Sequence, residues 1–114
     1  MPNIERFVYK VVGQEVGRIG NVALVECNKN QLIATRPNIS LDGPTIHKRR
    51  RAAPKIPEGV LIDENIYLID GHRKAVSSIK EGEDTITCRV LQTSNPNIIS
   101  RVIRRGHGPI VELL

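Results

Sequence analysis

Aromatic side chains are nearly missing from this chain: among 114 residues there is no Trp, one Phe and two Tyr. Its core must therefore come from Ile, Val and Leu, and no aromatic residue lies between the basic residues to serve as a stacking platform for single strands. Cysteine is scarce as well. Cys27 and Cys88 stand far apart without C-x-x-C spacing, so buried thiols are expected in place of a disulfide or a zinc site. His47, His72 and His107 show no ligand spacing either, and no metal site is assigned. No apolar run approaches the roughly 20 residues of a spanning helix, so no membrane partner is expected. Met1-Pro2-Asn3-Ile4-Glu5 lacks the charged and apolar regions of a signal peptide, and the expectation is a cytoplasmic protein. Gly13, Gly17 and Gly20 are not followed by Gly-Lys-Ser/Thr, which leaves them as turn residues and not a Walker A loop.

What remains is the composition of one globular domain, residues 1–114, with 39% hydrophobic and 25% charged residues. The net charge of +5 fits an acidic partner such as nucleic acid, although solubility alone accounts for a modest excess. Residues 7–12 and 21–27 are rich in β-branched side chains and are expected to be strands. A short strand over 31–35 follows and closes at Arg36-Pro37. Residues 59–62 and 66–69 flank Asp63-Glu64-Asn65, a three-residue hairpin signal. A helix over 73–81 buries Ala75, Val76 and Ile79 and stops at Gly82. Over 85–92, Ile86, Cys88 and Val90 alternate with Thr85, Thr87 and Arg89, the pattern of a strand with one buried face.

Positive charge is concentrated in two places. Lys48, Arg49, Arg50 and Arg51 form one run inside a proline-containing segment without periodicity, which reads as a basic loop. After Asn95-Pro96, a cap and first-turn pair, residues 97–105 have helical spacing. Ile98, Ile99, Val102 and Ile103 take one side, and Arg101, Arg104 and Arg105, spaced i, i+3, i+4, take the other and can neutralise neighbouring phosphates. Both clusters are equally compatible with plain solvated surfaces.

The most informative stretch is Ile66-Tyr67-Leu68-Ile69-Asp70-Gly71-His72-Arg73-Lys74-Ala75. An apolar strand runs into a glycine turn and then a basic helix start. Such a turn aims the first N–H groups of the helix at whatever sits above the strand end, and an anion fits there. Gly71, His72, Arg73 and Lys74, with Ser77 on the same helix, are the candidate phosphate ligands. The plain alternative is a strand-to-helix turn with solvated polar residues, in which Asp70 acts as a cap.

Hairpin, glycine turn, basic helix and returning strand, in that order, resemble the central motif of the ParB/sulfiredoxin superfamily over residues 59–91. The box reads Asp70-Gly71-His72-Arg73-Lys74, and Thr35-Arg36-Pro37 is similar to an Arg-Pro element that follows the first family strand. The resemblance implies an α+β fold, a small mixed sheet with a few short helices, in which this turn holds the phosphates of a nucleotide. Sulfiredoxins carry a catalytic Cys immediately before the His-Arg pair. Gly71 stands there in this chain, so sulfinic-acid reduction is not expected. Nor is the helix-turn-helix domain with which chromosome-partitioning relatives read a specific site.

Two function classes follow. The favoured one is a DNA-associated, nucleotide-binding module of ParB type that binds nucleic acid without strong sequence specificity. The other is a metal-dependent phosphotransferase or nuclease of the same superfamily, in which Asp70 and His72 are the catalytic candidates and a nucleotide with magnesium is the cofactor. Whether the chain catalyses, and whether it forms a homodimer, the residues leave open.

Overall fold

The computed structural model describes residues 3–36 and 56–114. Among these, five strands form one mixed sheet with three helices against it. The helices are α1 (Asn3–Val12), α2 (His72–Lys80) and α3 (Pro96–Arg104), and the strands are β1 (Gly20–Asn28), β2 (Leu32–Ile33), β3 (Glu58–Ile62), β4 (Asn65–Asp70) and β5 (Thr85–Thr93). The sheet order is β1-β5-β3-β4-β2. β1 and β5 pair antiparallel, as do β3 and β4, whereas β5 with β3 and β4 with β2 are parallel. The fold is therefore α+β with a small mixed sheet, as expected.

Alternation along the strands divides the core in two. Ile66 and Leu68 of β4 and Ile86, Cys88 and Val90 of β5 point to one face, where they meet Ala75 and Val76 of α2 together with Cys27, Leu32 and Ile110. Val60 of β3 and Leu91 of β5 point to the other, against Ile4 and Val8 of α1 and Ile98 and Val102 of α3. Period-2 strands and period-3.6 helices thus present one apolar stripe each to a shared sheet. Both thiols are free and buried.

The sequence expectation fails at the N-terminus. Residues 7–12 belong to a helix, not a strand. Ile4 and Val8 are fully buried and Val11 and Val12 pack on the same cluster, a spacing of i, i+4, i+7, i+8 that outweighs β-branched propensity. The helix start is fixed from a distance, because Oε1 of Glu58 accepts the Ile4 N–H at 3.0 Å. The β3–β4 hairpin also differs. Ile62 pairs with Asn65, so the loop has two residues, and Asp63 takes a positive φ of 56° to close it.

Residues 31–35 hold a shorter strand than expected, Leu32–Ile33, since Gln31 ends a 3-10 turn. In α3 the expected cap is present, with the Asn95 side chain accepting from the N–H groups of Asn97 and Ile98. Ile103 is 47% exposed, however, so it does not share the buried side of Ile98 and Val102. The basic run Lys48 to Arg51 lies outside the described residues.

Candidate functional site

The glycine turn forms as the sequence implied. β4 ends at Asp70, Gly71 sits at φ 82°, and α2 begins at His72 with no side-chain cap. The first helical bond runs from the Ala75 N–H to the Gly71 carbonyl, so the N–H groups of His72, Arg73 and Lys74 have no acceptor within the helix. Glycine is needed here for the fold itself, because a Cβ at Gly71 would lie 2.7 Å from the Cα of Pro57.

The turn residues then diverge. His72 is 2% exposed, and its Nε2 accepts the Thr35 N–H at 3.0 Å. Burial first, and then the charge of Arg36, push its pKa down to about 4, against an opposing pull from Asp70. The ring is therefore neutral near pH 7, and its lone pair is engaged inside the fold. Arg73 and Lys74 are exposed. Ser77 is half-buried in the second turn of α2, past the helix N–H groups that lack an intrahelical acceptor.

Asp70 goes elsewhere. With Ile69 and Thr35 it lines an open cavity of about 880 Å3, whose other walls are Glu5, Arg6, Phe7, Tyr9 and Lys10 of α1 and Val102 and Arg105 at α3. That volume suits a small organic ligand and far exceeds the need of a lone ion. Of the three arginines expected to act together, only Arg105 lines this cavity, while Arg101 and Arg104 do not. Arg105 is the C-cap of α3, where the negative end of the helix dipole favours a cation.

Arg6 and Lys10 were not among the sequence candidates. Their i, i+4 spacing puts them on one face of α1, a signal readable only once residues 3–12 are taken as a helix. Tyr9, 62% exposed, is the aromatic partner that the local sequence around the arginines lacks. The fold supplies it from the other end of the chain.

Two carboxylates also face the cavity, Asp70 and Glu5. Glu5 is held by Arg89, with Nη1 at 3.1 Å from Oε1 and Nη2 on Oε2. The Arg89 hydrogen bonds draw the Glu5 carboxyl below its usual range, against burial. The same guanidinium reaches Glu58 at 3.3 Å. Among the described residues no group of three or more His, Cys, Asp or Glu side chains is placed to hold a metal ion. No family model matches the chain, and no curated protein is similar to it at a significant level.

Proposed function

We propose that this chain is a DNA-associated, phosphate-binding module of the ParB type that its glycine box resembles, binding nucleic acid or a nucleotide without reading base sequence. The supporting observation is the convergence of Arg6 and Lys10 from α1 and Arg105 from α3 on one cavity at the carboxyl end of β4. Cations gathered in a concave wall raise the local concentration of phosphates, and contacts to phosphate carry no sequence information. The exposed Arg73 and Lys74 beside the glycine turn extend the same character towards α2.

The experiment is a binding titration of DNAs of unrelated sequence at about 50 and about 200 mM salt. Near-equal affinities that fall steeply with salt are expected. Absence of binding at the lower salt overturns the proposal. A thermal-shift series with nucleotides, with and without magnesium, examines the nucleotide arm.

A second reading, a metal-dependent phosphotransferase or nuclease, draws on the carboxylates of Asp70 and Glu5 in the cavity wall. Magnesium bound with a nucleotide takes most of its ligands from phosphate and water, and Asp70, the strand-end carboxylate of the glycine turn, would share it. Magnesium-dependent product that disappears in Asp70→Asn would move the assignment to this class.

A further inference from the structure

We infer that the groove between α1 and α3 takes single-stranded nucleic acid, with Tyr9 stacking on an unpaired base and Arg6, Lys10 and Arg105 holding the adjoining phosphates. The inference rests on the nucleic-acid reading above and names the form that is bound. Its first support is the composition of the wall, which joins three cations from two helices to an aromatic ring. Tyr9 is three residues from Arg6 and adjacent to Lys10 in α1, so ring and charges travel on one rigid element.

The second support is the exposure of the ring. Tyr9 is 62% exposed although it belongs to a helix whose Ile4 and Val8 are fully buried. A duplex keeps its base faces stacked inside and offers such a ring only backbone and groove. An unpaired base offers a whole π-face, and stacking on it is tolerant of sequence. The third support is electrostatic. The wall carries three cations, Arg6, Lys10 and Arg105, and its Glu5 is already ion-paired with Arg89. Phosphates are therefore assigned to the α1 and α3 cations.

The test is fluorescence anisotropy with a labelled mixed-sequence strand of about 12 nucleotides, alone and annealed to its complement. The parent protein should bind the single strand more tightly than the duplex. Tyr9→Ala should weaken single-strand binding by roughly 5- to 150-fold, the range for loss of one stacked base, with duplex affinity unchanged, while Tyr9→Phe retains binding. Lys10→Gln should weaken both forms. Circular dichroism of each variant reports that the fold is kept, as the exposure of Tyr9 predicts. Equal or tighter binding of duplex, or an indifferent Tyr9→Ala, overturns the single-strand assignment while the nucleic-acid reading stands. Binding of neither form at low salt overturns both. Complete displacement of the strand by a mononucleotide of comparable affinity assigns the cavity to a free nucleotide and overturns the inference.

Discussion

Nε2 of His72 accepts the backbone N–H of Thr35 at 3.0 Å, which ties the first residue of α2 to the chain leaving β2. The Thr35 hydroxyl in turn donates to the Leu68 carbonyl in β4. The basic-looking His of the glycine box is thereby a strut between two parallel strands and a helix, and it works in its neutral form.

That state has a pH signature. The pKa of His72 is about 4 in the folded chain against an ordinary 6.5, so between those values the unfolded chain binds more protons and stability rises with pH. Lowering the pH from about 6.5 towards about 4 should cost on the order of 3 kcal/mol through this residue. Glu5, whose pKa is lowered from 4.5, begins to lose its contribution as the pH falls below about 4.5, at the bottom of that range, which leaves the upper part of the window to His72. Thermal midpoints measured across this range should slope in the parent and flatten in His72→Gln. An equal slope in both proteins would remove the buried neutral imidazole from the account.

Gly71 carries two independent constraints, a φ of 82° and the approach of Pro57 at 2.7 Å from a Cβ. Asn tolerates left-handed backbone but not the missing space. Gly71→Ala and Gly71→Asn should therefore both cost about 2–4 kcal/mol. At Gly82, φ is 93° and nothing lies near a Cβ, so Gly82→Asn should cost about 1 kcal/mol or less. Urea titrations of the three variants compare the positions directly.

Glu58 holds both the Ile4 N–H and Arg89, joining α1 to β3 and β5 through a side chain that is 7% exposed. Arg89→Met removes the cation from two carboxylates and should cost about 2–4 kcal/mol. Glu58→Gln keeps an oxygen for Ile4 and should cost about half of that. A loss in Glu58→Gln larger than in Arg89→Met, read from denaturant midpoints, would show that the helix anchor and not the ion pair dominates.

The phosphate assignment predicts a count. Arg105→Ala and Lys10→Gln should each lower the salt slope of nucleic-acid binding by about 1 and weaken all sequences alike. Arg104→Ala, outside the cavity wall, should change the slope less. Equal effects at Arg104 and Arg105 would place the contact on the α3 surface and not in the cavity.

Local signals sufficed for much of this molecule. The alternation Ile86, Cys88, Val90 announced β5, Asn95-Pro96 announced the start of α3, and Asp70-Gly71 announced the turn into α2, because each depends on side chains within one or two turns of backbone. Residues 7–12 read as a strand from their β-branched content but belong to a helix, since the burial of Ile4 and Val8, which decides for helix, requires α3 and the sheet to pack against. The cavity lay further out of reach. Asp70, Arg105 and Tyr9 are distant in sequence and meet only because β4 is an inner strand of the sheet and α1 and α3 share one of its faces. Whether a charged residue has a ligand, a carboxylate or water beside it is set by that packing: the local sequence marks Arg105 as polar surface, and the fold makes it one wall of a groove.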